Sequence, residues 1–163
     1  MDFTPTDEQR MIERLARRLA ADRPVRFEHL AEAGLLALGS GPEEDDWATL
    51  ALAATALGEA AAAGGFVVAT AATAIPIARH GTDAQRAEWL PDVRRGVRRL
   101  ALASGAVVRH DGDRLILSGT MPLVREGGAA DAFLVIAQQQ GNGRAAMLLV
   151  PRDTPGLSVH PAS

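Results

Sequence analysis

The residues of this chain that could do chemistry are few and lie in different segments. Ser104 lacks the Gly-x-Ser-x-Gly setting of an activated nucleophile. Glu59 stands alone in an apolar segment, where it could be a buried acid but is more often the mark of a solvent-facing helix side. The histidines have no ligand-like spacing, at His29, His80, His110 and His160. We therefore predict no catalytic residue and no metal site from these side chains.

Two further groups combine charge with glycine or proline. The stretch "RRGVRR" could meet a phosphate or an acidic partner, although a solvated basic helix end is the commoner use. In "SGTMPLVREGGAADAFLVIA", from Ser118 to Ala137, a proline, an adjacent Arg125–Glu126 pair and two glycines separate two strand-like runs. The pair could be an exposed turn, which contributes little to stability, or a protein contact, where arginine is favoured.

Composition excludes several classes of protein. The net charge is −3 and the pI is near 5.8, so neither nucleic acid nor an anionic membrane is an expected partner. The absence of cysteine excludes disulfides, thiol catalysis and thiolate metal sites. The polar start has no signal-peptide pattern, and the most apolar stretch, 64–78, is too short to cross a bilayer. We expect a cytoplasmic protein.

The first part of the chain has a helical pattern. Thr6, with Gln9 three residues later, forms a capping box that opens the first helix. Met11, Leu15 and Leu19 then recur every four residues, with charged residues between them. This spacing predicts an amphipathic helix whose apolar face contains these three side chains.

Four further helices are predicted before residue 97. The stretch "VRFEHLAEAG" is a short helix, and the acids of "GPEEDD" should lie at the N-terminus of the alanine-rich helix "WATLALAATALGEAAAA". Gly64–Gly65 should end that helix, and Pro76 should kink the next one or mark its last turns. Thr82 and Gln85 form a second capping box that opens "DAQRAEWL", which Pro91 should punctuate.

From about residue 100 the apolar period falls to two. The runs "LALAS", "AVVRH", "RLILSG", "AFLVIA" and "AAMLLVP" are separated by turn-forming segments, of which Asp111–Gly112 suits a hairpin. The pattern predicts an α+β fold. Its N-terminal α-helical bundle covers residues 1–97, and a small, incomplete antiparallel β-domain covers 98–163.

Several of these segments, taken in order, resemble the acyl-CoA dehydrogenase family. The stretches "MDFTPTDEQRMIERLARRLAAD" and "LAEAGLLAL" are similar to its opening helices, and "IPIARHGTDAQRAEWLPDVRRG" to the helix, cap and Leu-Pro step before its sheet. The stretches "DGDRLILSGT", "GGAADAFLVIA" and "LLVPRDTPGLSV" resemble parts of its middle β-domain. The resemblance implies an FAD-dependent oxidoreductase family that acts on acyl-CoA thioesters.

Family members continue into a second helical domain of similar size. That domain carries the glutamate base that takes the α-proton, the tetramer core and much of the flavin and CoA contact. The present sequence reaches Ser163 within what the resemblance makes the β-domain. The resemblance therefore implies that this chain by itself holds no catalytic residue.

The flavin-facing positions of the family are altered in this sequence. Between residues 102 and 106 the chain has only "LASGA" where the family has a Thr-Glu-Pro-x-x-Gly-(Ser/Thr)-Asp segment. In the later loop, Leu123 falls at an aromatic position, and Arg125 and Glu126 fall at a Thr/Ser-Asn pair, with Pro122 removing a backbone donor. By alignment alone, the remaining contacts with a flavin, here named the flavin wall, are Leu102, Ser104, Leu123 and Arg125.

The resemblance leads to one main hypothesis. The chain is expected to be a non-catalytic subunit of a heteromer with a full-length acyl-CoA dehydrogenase-like partner, with FAD bound only if it is shared with that partner. Arg125 and Glu126 are the expected interface residues. The alternatives are a homo-oligomer that binds an acyl-CoA or acyl-carrier thioester, with flavin-dependent or non-redox activity, a binding or scaffold module, and a fragment of a longer gene.

Overall fold

The computed structural model describes residues 4–21, 25–41 and 47–160. The chain divides into two compact units, a helical unit of residues 1–98 and a β-unit of residues 99–163. The predicted α+β fold, with helices first and a small sheet second, is confirmed. The acids of "GPEEDD" lie outside the described residues.

The helical unit is built from short helices packed around one apolar core. The core takes buried side chains from each of the main segments, among them Leu36, Leu57 and Phe66. The helices are α1 (Asp7–Ala21), α2 (Phe27–Glu32), a 3-10 helix (Leu35–Ala37), α3 (Trp47–Gly58), α4 (Ala63–Val67), a π-helical segment (Val68–Ala74), α5 (Ile75–His80) and α6 (Asp83–Arg94).

Both predicted capping boxes are confirmed. The N–H of Gln9 donates to the Thr6 hydroxyl (3.2 Å), and the N–H of Thr6 donates to the Gln9 side chain (2.9 Å). Thr82 and Gln85 repeat the same pair of bonds at the start of α6. Each box satisfies two backbone donors that a helix leaves unpaired at its first turn, so the sequence fixes where these helices begin.

The apolar face of α1 differs from the prediction at one residue. Met11 is 55% exposed, whereas Ala16 and Ala20 are buried, with Leu15 and Leu19 partly buried beside them. Ala16 and Ala20 therefore belong to the core of the helical unit, and the exposed Met11 does not.

Helix α3 ends at Gly58, earlier than the end at Gly64–Gly65 that the sequence predicts. The N–H groups of Ala61 and Ala62 donate to the carbonyls of Gly58 and Leu57, and Ala61 has a left-handed φ of 56°. These bonds form the usual left-handed helix stop, with alanine at the position where glycine is common. Gly64–Gly65 lies within α4 instead.

Pro76 follows the π-helical segment and does not end the helical run, which continues to His80. Inside that segment Thr70 is buried and donates its hydroxyl to the carbonyl of Phe66 (2.7 Å). Thr73 is also buried and donates to the carbonyls of Val68 (2.9 Å) and Ala69 (3.0 Å). The two hydroxyls thus bond carbonyls in a stretch where the regular α-helical pattern is interrupted.

The β-unit is a four-stranded sheet with the order β2-β1-β3-β4. The connection 119–131 carries the chain from β2 past β1, so β1 and β3 are parallel, which the sequence did not predict, while β1–β2 and β3–β4 are antiparallel. The first hairpin turns at Gly112–Asp113, one residue later than expected. The strands are β1 (Leu100–Asp111), β2 (Arg114–Ser118), β3 (Ala132–Gln139) and β4 (Ala145–Pro151).

Candidate functional site

A β-bulge in β1 lies at the first part of the flavin wall. The register between β1 and β3 shifts between Ser104 and Ala106, and Gly105 has a φ of 104°. The bulge changes which side chains face the core of the β-unit: Ala103 is buried before it and Ala106 after it. Ser104 is exposed and Leu102 is half-buried, and both lie on the opposite face of the sheet.

The loop after β2 begins against this bulge. A Cβ on Gly119 would lie 3.0 Å from the Cα of Ala106 and 3.4 Å from the carbonyl oxygen of Gly105. With a φ of 151°, Gly119 also has a backbone conformation that other residues rarely adopt. Glycine at 119 thus lets the loop and the bulge touch backbone to backbone.

Val124 is half-buried in the loop 122–126, whose other four residues are exposed. Val124 packs towards the core of the β-unit, with its Cγ1 directed at Gly127 beside the ring of Phe133. The residues on either side of Val124 point away from the core: Leu123 is 76% exposed, and Arg125 is exposed. Among the described residues, Arg125 makes no hydrogen bond or ion pair.

Two side chains that the sequence analysis did not single out brace this loop. Arg152, just after β4, donates to the carbonyls of Gly127 (3.0 Å) and Ala130 (2.9 Å). The Asp131 carboxylate accepts from the N–H of Arg99 (2.8 Å), so it fixes the start of β3 to the start of β1. Asp131 is the last residue of the "GGAAD" motif, so the sequence offered a reason to consider it. No motif in the sequence pointed to Arg152.

Glu126 has a left-handed backbone, with φ 60° and ψ 5°. Such a conformation costs an ordinary residue on the order of 1–2 kcal/mol, and asparagine and glycine tolerate it best. The resemblance implies asparagine at this position in the family, and asparagine tolerates this backbone better than glutamate does.

Replacing Glu126 with asparagine should stabilise the chain by about 0.5–1 kcal/mol, because the left-handed backbone is less strained for asparagine. The measurement is the free energy of unfolding in urea. The matched control is Arg125→Asn, one residue earlier, whose φ is not positive. An equal gain from both substitutions would show that relief of backbone strain is not the cause.

Three of the four arginines of "RRGVRR" make contacts within the helical unit, whereas the fourth, Arg99, belongs to the β-unit. Arg95 and Arg98 both bind the carboxylate of Asp92, at 2.7 Å and 3.2 Å, and Arg98 also lies over the ring of Trp89, 4.7 Å from its centroid. This arrangement favours the basic helix end over a phosphate site. Glu59 is exposed and forms an ion pair with Arg17, which excludes the buried acid considered above.

A cavity of about 370 Å³ lies beside α6 in the helical unit. Two of its arginines tie the surrounding segments together: Arg94 donates to the hydroxyl (3.0 Å) and the carbonyl of Ser40, and Arg86 donates to the carbonyl of Gly81. None of the flavin-wall residues lines this cavity. Within the described ranges, no group of three or more histidine, aspartate or glutamate side chains could hold a metal ion, and no helix is long and apolar enough to cross a membrane.

The fold is that of the N-terminal and middle domains of acyl-CoA dehydrogenases. The structure of butyryl-CoA dehydrogenase from Megasphaera elsdenii superposes with a TM-score of 0.81 at 22% identity, covering 96% of this chain and 51% of that one. A glutaryl-CoA dehydrogenase from Mycobacterium smegmatis, solved in complex with FADH2, gives 0.75 at 23% identity, covering 96% and 49%.

Sequence comparison gives the family. A family model described as "Acyl-CoA dehydrogenase, N-terminal domain" matches residues 6–97. The acyl-CoA dehydrogenase FadE12 of Mycobacterium tuberculosis is 32% identical over an alignment of 123 residues, and the match covers 63% of this chain and 32% of that protein. The chain belongs to the acyl-CoA dehydrogenase family. It spans about a third of the length of this curated relative and about half of the solved structures.

Proposed function

We propose that this chain is an auxiliary, non-catalytic subunit that works in a heteromer with a flavin-bearing acyl-CoA dehydrogenase-like partner. The assembly would carry out α,β-dehydrogenation of an acyl thioester, with the partner supplying the glutamate base. We propose further that residues 1–97 and 98–163 are two domains, as the sequence pattern indicates.

One observation supports the proposal: the sequence contains "SGT" and "GGAAD", which resemble the family's frame, while the residues between them differ from those that the resemblance implies. The isoalloxazine edge of a flavin needs donors and acceptors at fixed positions beside a flat apolar surface. The loop offers an exposed aliphatic side chain at 123, a proline without N–H at 122 and two opposite charges at 125 and 126. These residues do not fit a flavin edge, and Leu102 and Ser104 alone are too few to hold one.

The same loop suits a protein contact. Leu123 and Arg125 stand out from a backbone that Val124, Arg152 and Asp131 hold in place. A rigid loop with an exposed apolar side chain and an unpaired arginine loses little conformational entropy on binding, and arginine is enriched where proteins meet. We therefore propose Arg125 and Glu126 as interface residues.

The chain purified alone should show no flavin absorbance, which falls at roughly 350 to 500 nm in flavoproteins. Co-expressed with a full-length homologue encoded near it, the chain should copurify with that homologue and with FAD. A yellow isolated chain would contradict the proposal, and so would a monomer that never copurifies with such a homologue. Mass spectrometry of the natural polypeptide, compared with 17.1 kDa for the 163 residues of this sequence, tests whether further segments belong to the same chain. A larger mass would show that the partner segment lies in the same polypeptide.

A second candidate function is binding of an acyl thioester by the chain itself or by a homo-oligomer. One observation favours it: the sheet face that contains Leu102 and Ser104 also exposes Ile136, at 41%, and is largely apolar. A rise in melting temperature on addition of an acyl-CoA, without flavin, would support this function over the first. No rise at saturating acyl-CoA would exclude it.

A further inference from the structure

Proline inside a helix usually kinks or ends it, yet the helical run from α4 to α5 continues past Pro76. The backbone remains helical at both ends of the π-helical segment, here named the wide turn (residues 68–74). Its φ and ψ angles are −63° and −39° at Val67, just before the wide turn, and −63° and −49° at Ile75, just after it. The chain therefore accommodates the proline within the helix.

The spacing of the backbone hydrogen bonds changes in the wide turn and then returns. The N–H of Val68 reaches no further than the carbonyl of Gly64, four residues back. The N–H of Ile75 donates to the carbonyl of Thr70, five residues back. At Gly81, the donor is again four residues from its acceptor. The run thus contains one residue more than an α-helix with the same number of turns.

The burial of side chains follows the same spacing. Two groups of three buried residues, 68–70 and 73–75, lie five positions apart. In an α-helix the same face returns after three or four positions. Phe66, before the wide turn, and Ile75, after it, belong to one apolar core. The additional residue therefore lets both halves of the run face that core.

Thr73 supplies a hydrogen-bond donor inside the wide turn. Its hydroxyl donates to carbonyls both four and five residues back, at 3.0 Å and 2.9 Å, so one side chain bonds across the change of spacing. The side chain is fully buried, and a buried carbonyl without a donor is costly. The hydroxyl thus offers a partner where the backbone N–H groups no longer match the carbonyls one for one.

We propose that the wide turn is a single inserted residue that carries the helix past Pro76, and that the Thr73 hydroxyl stabilises it. In an α-helix, the ring of Pro76 would meet the carbonyl of Ala72, four residues back. With the additional residue, the bonds before Pro76 span five residues, and this carbonyl is displaced from the ring. The inference goes beyond the proposed function, because it concerns buried residues of the helical unit and holds whatever the chain associates with.

Deletion of Ala72 tests whether one residue is inserted because of Pro76. The deletion brings the two buried groups four positions apart, as in an α-helix, but places the proline ring against a carbonyl again. It should lower the melting temperature by about 10 °C, and combining it with Pro76→Ala should recover most of that loss. Pro76→Ala alone should shift the melting temperature by less than about 3 °C. Equal losses on deletion with proline and with alanine at 76, or failure of the double variant to fold, would overturn the proposal.

Deletion of Ala54 is the matched control. Ala54 is also half-buried, but it lies in α3, which has no wide turn. Its loss should turn the buried side chains that follow, such as Leu57, away from the core and abolish cooperative unfolding. A double variant at 72 and 76 that is no more stable than this control would show that the wide turn holds no removable residue.

Two variants of Thr73 test the role of its hydroxyl. Thr73→Val keeps the shape of the side chain and removes the donor, whereas Thr73→Ser keeps the donor and removes a methyl group. The valine variant should melt about 5 °C below the serine variant, because two buried carbonyls lose a partner. In the chain that lacks Ala72 and has alanine at 76, this difference should disappear, since the carbonyls of an α-helix have backbone donors. A valine variant as stable as the serine variant, or the same difference in both chains, would show that the hydroxyl does not stabilise the wide turn.

Discussion

Replacing Gly96 with alanine should destabilise the helical unit by about 3 kcal/mol and lower its melting temperature by about 10 °C or more. Gly96 follows α6 with a left-handed φ of 69°, and its N–H donates to the carbonyl of Val93 (3.0 Å). An added Cβ would lie 2.7 Å from the Cβ of Ala31 and 3.4 Å from the ring of Phe27. The variant therefore combines backbone strain with overpacking in a place where two segments already touch.

Gly34→Ala is the matched control. Gly34 has nearly the same backbone, with φ 73°, but a Cβ there would meet no heavy atom within 4 Å. It should cost only about 1 kcal/mol, the strain of a left-handed alanine. Urea denaturation of both variants gives the comparison, and equal losses would show that the contact with Ala31 is unimportant.

Replacing Leu123 with aspartate should weaken association with the proposed partner at least tenfold while leaving the isolated chain folded. The side chain is 76% exposed, so its loss should change the free energy of unfolding by less than about 0.5 kcal/mol. At an interface, the same change would bury a charge where an apolar group had been, which disfavours binding strongly. The measurement is the dissociation constant for the copurified partner, or the yield of partner on the tagged chain.

Leu115→Asp is the control for this variant. Leu115 is 50% exposed on β2 and belongs neither to the loop nor to the flavin wall. It should leave partner binding unchanged. If Leu123→Asp binds as well as the natural chain, the loop 122–126 is not the contact surface and the proposed role of Arg125 and Glu126 is wrong.

The sequence predicts best those features of the fold that local chemistry decides. The capping boxes at Thr6 and Thr82 were predicted because three-residue spacing is enough to close both bonds. The end of α3 was not predicted, because Ala61 adopts a left-handed conformation that is usually found at glycine. Only the packed structure decides which alanine adopts it. The parallel pairing of β1 and β3 was also missed, because it depends on the path of the connection 119–131 and not on residue pattern.

The candidate site could be predicted only in part, because its position follows from local sequence but its contacts depend on residues distant in the chain. The family resemblance selected the loop 122–126, but the half-burial of Val124 between exposed neighbours follows from its packing beside Gly127 and against the core of the β-unit. Arg152 braces that loop from 22 residues beyond Ala130, a pairing that no local pattern encodes. The roles of Leu102, Ser104, Leu123 and Arg125 stay predictions.

Arg152 belongs at once to the end of β4, through its N–H, and to the loop before β3, through its guanidinium. A protein docked on the loop would restrict the carbonyls that Arg152 binds, and the end of β4 would lose freedom with them because the same residue is bonded at both places. Binding of the proposed partner should therefore slow hydrogen exchange at the end of β4 as well as in the loop.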